Sequence, residues 1–126
     1  ARSTAGIATT GVHQTTFGGG YNDAYLAKFN SSGVRQWGTY YGGSGDEYSY
    51  TCAIDASGNV FLPGQTRSTT GIATTSAHQT TYGGGFDPFL AKFNSSGVRQ
   101  WGTYYGGTSN DYGRSCATDA VACSFL

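Results

Sequence analysis

The sequence predicts an all-β fold built from tandem four-stranded units, and three observations carry that prediction. An eighteen-residue stretch occurs twice: Leu26 to Gly43 reads LAKFNSSGVRQWGTYYGG and recurs unchanged as Leu90 to Gly107. Within it, residues alternate at period two around a polar turn, the pattern of strands whose faces meet different neighbours. The composition agrees. Charged residues make up 11%, less than half the usual quarter, while 21 glycines with many Thr, Ser and Tyr take their place. Such a mix suits strands and turns and gives helices little to work with.

The repeat extends beyond the hairpin. Arg2 to Thr10 returns as Arg67 to Thr75, and His13-Gln-Thr-Thr-Phe-Gly-Gly-Gly20 as His78-Gln-Thr-Thr-Tyr-Gly-Gly-Gly85, both offset by 65. Tyr21-Asn-Asp23 then shortens to Phe86-Asp87, and the offset becomes 64. The slip falls beside a triple glycine, where a loop absorbs a deletion at little cost. Residues 1–126 therefore divide into two tandem repeats, 1–65 and 66–126.

In chain order, the first hairpin has Tyr25, Ala27 and Phe29 alternating with Leu26 and Lys28 before the turn. After it, Val34, Gln36 and Tyr40 alternate with Arg35, Trp37, Thr39 and Tyr41. Asn30-Ser31-Ser32-Gly33 closes the turn, with Asn and Ser bonding to nearby backbone and Gly33 taking a positive φ. One complete unit then begins at Tyr48. Tyr48 to Ile54 reads as a first strand, Asp55 to Asn59 as a turn, and Val60 to Leu62 as the start of a second strand. Pro63 is expected to end that strand early or to mark a bulge, since it has no N–H for the ladder. Arg67 to Gly85 reads as a polar loop. Phe89 to Phe93 and Val98 to Tyr105 are the third and fourth strands. At the end, Val121 to Ser124 replaces Ser57-Gly-Asn-Val60 and loses its turn chemistry. A sheet of four strands cannot bury both faces alone; such sheets stack around an axis as propeller blades do.

Seven basic and seven acidic side chains cancel, which removes the electrostatic case for nucleic acid or an anionic membrane. No apolar run reaches the roughly 18 residues of a membrane span. Cys52 and Cys116 share one repeat position and Cys123 has no counterpart, so neither a disulfide framework nor a zinc site is indicated. They read as small buried hydrophobes in strands, with Cys116 and Cys123 near enough in sequence for local pairing.

The blocks Tyr40 to Tyr48 (YYGGSGDEY), Ala53 to Phe61 (AIDASGNVF), and the Asp-(Ala/Pro)-aromatic-Leu-Ala-Lys-Phe-Asn segments at 23–30 and 87–94 occur in that setting. Together they resemble the SBBP family of β-propeller repeats over nearly the whole chain. The resemblance implies four-stranded antiparallel blades, about two blade equivalents here, in secreted or cell-surface bacterial proteins. It says little about biochemical role. Pro63 and the 121–124 block depart from the pattern. Propellers typically need about four to eight blades. The expectation is therefore a segment of a longer chain, the alternative being several copies that share blades in one ring.

Candidate chemistry is sparse, and no cofactor, catalytic group or metal site is expected. His13 and His78 are one repeat position, without a nearby nucleophile or carboxylate in sequence, and read as loop histidines bonded to backbone. Asp23 with Asp87, and Asp55 with Asp119, read as caps of backbone amides. Duplicated positions do not suggest the two distinct carboxylate roles of a glycosidase. The glycine runs lack a following Gly-Lys-Ser/Thr and read as turns. Asp46 and Glu47 sit beside a flexible loop that calcium could use, but Asn110-Asp111 keeps one carboxylate there. Trp37, Trp101, Tyr40, Tyr41, Tyr104 and Tyr105 offer flat surfaces for sugar or protein contact, and the two tryptophans fit blade packing first. Ligand contacts are placed on the loops, at His13, Thr15, Thr16, His78, Thr80 and Thr81, with the two tryptophans beside them. The functional expectation is a non-catalytic binding or adhesion module for a glycan or protein. The alternative is a purely structural spacer or self-assembling unit, whose partners are neighbouring blades of the same chain or of other copies.

Overall fold

The structure, a computed structural model, describes residues 1–119 and 122–125. Among them it is all-β: strands β1 (Ala24–Phe29), β2 (Arg35–Tyr41), β3 (Glu47–Tyr48), β4 (Ala53–Ile54), β5 (Val60–Thr66), β6 (Asp87–Phe93), β7 (Arg99–Tyr104), β8 (Cys116–Thr118) and β9 (Cys123–Phe125). All pairings are antiparallel. β1–β2 and β8–β9 are separate hairpins, and between them β5, β6 and β7 form a sheet flanked by β3 and β4, which both pair with β5.

Both copies of the hairpin fold alike for the same local reason. Asn30 Oδ1 accepts from the Ser32 and Val34 amides at 3.0 and 2.9 Å, and Asn94 Oδ1 from Ser96 and Val98 at 3.0 Å. Gly33 and Gly97 take the left-handed φ, +76° and +81°, that the turn requires. Each register slips once, at Lys28/Phe29 and Lys92/Phe93, a bulge beside the turn.

The central sheet corrects three expectations. The first strand is two dipeptides, because residues 49–52 leave the ladder between β3 and β4. Cys52 lies in that departure and is exposed instead of buried in a strand. β5 runs on through Pro63, which pairs with Leu90 without a bulge. The Pro63 carbonyl accepts from Ser49 Oγ at 2.8 Å, so its backbone polar edge faces the interrupted strand. In a strand, one residue's N–H and C=O face the same neighbour, so no β5–β6 ladder bond is lost to the proline.

At the C-terminal hairpin the register sets Cys116 opposite Phe125 and Cys123 opposite Thr118. Local Cys116–Cys123 pairing concerns the Cys123 side chain, which lies outside the described residues. So do Ala120 and Val121 of the altered turn. Even so, Asp119 Oδ1 still accepts the Ala122 amide at 2.7 Å, keeping the aspartate's role in closing it.

Two faces matter. In the first hairpin, Leu26 and Lys28 share a face with Thr39 and Trp37 across the ladder, and Ala24 with Tyr41. In the central sheet, Val60, Leu62, Phe89, Ala91 and Phe93 share the opposite-facing surface. These two surfaces stack on each other and make the hydrophobic core, closed at one side by Ile72 of the second loop. At about 25 cal/mol per Å² of apolar area, this sheet-on-sheet burial is the main stabilising term. β8 packs on β4 and β5 on the other side of the central sheet.

Candidate functional site

The long loops are held more tightly than a free excursion. Thr9 N donates to Gly38 O at 2.9 Å and Tyr40 N to Gln14 O at 3.1 Å; Thr74 and Gln79 repeat these bonds with Gly102 and Tyr104 at 2.9 and 3.0 Å. Each loop thus runs along the outer edge of the fourth strand of its unit, β2 or β7. Gln14 is the clamp. Its Oε1 accepts the Gly42 amide at 3.0 Å while Nε2 donates to the Thr16 carbonyl at 2.9 Å, and Gln79 does the same with Gly106 and Thr81. Thr15, Thr16, Thr80 and Thr81 keep their side chains exposed.

The triple glycines end the loops on buried carboxylates. Asp23 Oδ2 accepts the Gly18 amide at 2.7 Å and Asp87 Oδ2 the Gly83 amide at 2.6 Å. Gly20 and Gly85 are left-handed at +63° and +67°, where a side chain would be strained. The capping role expected of these aspartates and of Asp55, which accepts the Ser57 and Asn59 amides at 2.9 Å, is present.

Asp46 and Glu47 do not form a joint site. Asp46 Oδ1 accepts the Tyr21 amide at 2.6 Å. Glu47 turns inward, where Thr66 Oγ1 and Ser68 Oγ donate to its Oε1 at 2.6 and 2.5 Å and the Gly43 amide to Oε2 at 3.1 Å. Burial pushes the Glu47 carboxyl up to about 7, against those hydrogen bonds, with the Asp23 charge adding to the rise. Among the described residues, no three His, Cys, Asp or Glu side chains gather as metal ligands.

The aromatic residues expected at a site divide between the two copies. In the first, Trp37 is buried and its indole Nε1 donates to Ser95 O at 2.9 Å, so this tryptophan packs against the second hairpin. The Tyr41 ring lies 5.1 Å from Phe89 and 5.6 Å from Phe93, and its hydroxyl donates to Ile72 O at 2.6 Å. His13 packs on Tyr41 and Phe93 at 5.6 and 6.0 Å, and its amide donates to Gly97 O at 3.2 Å. Burial, aided by the Arg99 charge, lowers the imidazole to about 4. In the second copy, the matching residues are open. His78 and Tyr105 are exposed with their rings 5.6 Å apart. They line a cleft of about 550 Å³ with Pro88, Asp111 and Tyr112. Half-buried Trp101 borders a neighbouring groove with Thr74, Ser76 and Thr103.

Sequence reasoning marked the threonines, histidines, tryptophans and Tyr41 but passed over Gln14 and Phe89. The signal for Gln14 was its repetition beside His13. For Phe89 it was strand parity, which places it on a face that can meet Tyr41 only once two sheets are stacked. The arrangement offers hydroxyls, aromatic rings and a histidine on an open face, suited to packing or to polar-aromatic recognition. Compared with protein-family models and with curated proteins, the sequence finds no match in either.

Proposed function

We propose that this chain is an architectural segment of an SBBP-type β-propeller, its tandem units serving as blades that stack on one another in a secreted or cell-surface protein. The observation that carries the reading is the seating of Tyr41. Its ring is covered by Phe89 and Phe93, and its hydroxyl reaches Ile72 O beside Gly102, where even a Cβ would lie 2.3 Å from the hydroxyl oxygen. A tyrosine fitted to a glycine and a carbonyl of the neighbouring unit supports a surface selected for unit-to-unit packing.

The test uses the repeat as its own control. Tyr41→Ala is expected to destabilise the dilute chain by about 3–5 kcal/mol. Tyr105→Ala, the same change at the matching open position, should shift unfolding by less than about 0.5 kcal/mol. Urea unfolding of both variants decides it, and equal losses would end the stacked-blade reading. A second reading, recognition of a glycan or protein, is supported by the exposed hydroxyls of Thr15, Thr16, Thr80 and Thr81. It requires binding on a glycan array that Thr80→Ala and Thr81→Ala abolish.

A further inference from the structure

The interface between the two units is made once inside the chain, yet both of its halves are present twice. Its receptor half is drawn largely from the repeated segment: Ser95 O takes the Trp37 indole, Gly97 O takes the His13 amide, and Gly102 leaves room for the Tyr41 hydroxyl. Arg99 adds its guanidinium 5.9 Å from the Tyr41 ring. Because 90–107 and 26–43 are identical, the same receptor exists in the first hairpin as Ser31, Gly33, Arg35 and Gly38. Ile7 O lies at Gly38 as Ile72 O lies at Gly102, so close that a Cβ on either glycine would lie 2.3 or 2.4 Å from that oxygen.

Exposure shows that these second halves are uncovered. Phe89 and Phe93 are 0% exposed, whereas their counterparts Tyr25 and Phe29 are 51% and 58% exposed. Tyr41 is 0% exposed, and its counterpart Tyr105 is 59%. Resting on the stacked-unit reading above, we propose that a second copy of this chain docks head to tail on the open face of the second unit. Tyr25 and Phe29 of one copy cover Tyr105 of the other, as Phe89 and Phe93 cover Tyr41 within one chain. Trp101 then donates to Ser31 O and the His78 amide to Gly33 O of the incoming copy. Zero formal net charge leaves no overall repulsion between copies. The contact is heterologous, so each docked copy presents a new open face and addition continues until a ring closes.

The experiment is sedimentation velocity of the 126-residue chain from dilute to millimolar concentration. Concentration-dependent growth is expected. Tyr105→Ala and Phe29→Ala should each weaken it at least about tenfold, as central aromatic anchors do. Both residues are exposed, so the urea unfolding midpoint of each dilute variant should match the parent. A mixture of the two variants gives the sharpest readout: each retains one intact half, so the mixture forms dimers and stops there. A chain that stays monomeric at every concentration overturns the proposal, and so does growth that neither variant affects. A monomer that binds a soluble glycan through Tyr105 assigns the open face to that ligand instead. None of these outcomes alters the Tyr41 result, which tests packing within one chain, so the two readings fail separately.

Discussion

Two buried titratable side chains set opposite pH dependences. Glu47 ionises near 7 in the folded chain against an ordinary 4.5, because burial disfavours its charge. Its contribution is fully present below about pH 4.5 and is lost as pH rises through 7, on the order of 3 kcal/mol at about 1.4 kcal/mol per unit. Asp23, also raised by burial, acts in the same sense. His13 is lowered from 6.5 to about 4 by burial and Arg99, so its contribution is present above 6.5 and is lost as pH falls toward 4. Between about 4.5 and 6.5 the Glu47 and His13 slopes oppose, so the parent chain should vary less with pH than a variant lacking either group. Urea unfolding across that window checks this. Glu47→Gln should leave stability falling toward acid, and His13→Asn should leave it falling toward neutrality. Parallel behaviour of the two variants would show that these groups are not buried as described.

At the scale of the element, the repeated turns give a matched comparison. Gly33 and Gly97 are both left-handed, so alanine at either carries the strain of that region, about 1–2 kcal/mol. Around Gly33 a Cβ meets nothing, whereas at Gly97 it would lie 2.9 Å from the Trp37 ring. Gly97→Ala should therefore cost more than Gly33→Ala, with Trp37 emission shifting in the former alone; thermal unfolding and fluorescence together check it. Both hairpins and both turns were legible in the sequence because their determinants are local: an asparagine, a glycine and alternation. The interrupted first strand was not, because alternation over Tyr48 to Ile54 is intact and the departure of 49–52 is visible only against β5. Pro63 misled for a related reason, since its harm depends on which neighbour its nitrogen faces.

For the whole molecule, stacked sheets should behave as coupled but separable units. Tyr41→Ala is expected to raise amide hydrogen exchange in β1 and β2 while leaving β5–β6 protection near its parent value. Uniform acceleration across every strand would mean that the sheets open together as one unit. The tandem organisation was readable because 26–43 and 90–107 are the same letters. Their unequal roles were not, since identical residues acquire different surroundings only when one face is covered and the other is open. Tyr41 and Tyr105 differ in environment, not in sequence, and no reading along the chain separates them.

The loops lying along β2 and β7 carry a consequence for how copies can add. Their backbone bonds to Gly38, Tyr40, Gly102 and Tyr104 already occupy the flank of each unit at which another strand would otherwise attach. Sideways recruitment at that flank is closed while the aromatic faces remain available. A copy that adds to the chain is thereby turned away from the β2 and β7 edges and toward the aromatic faces.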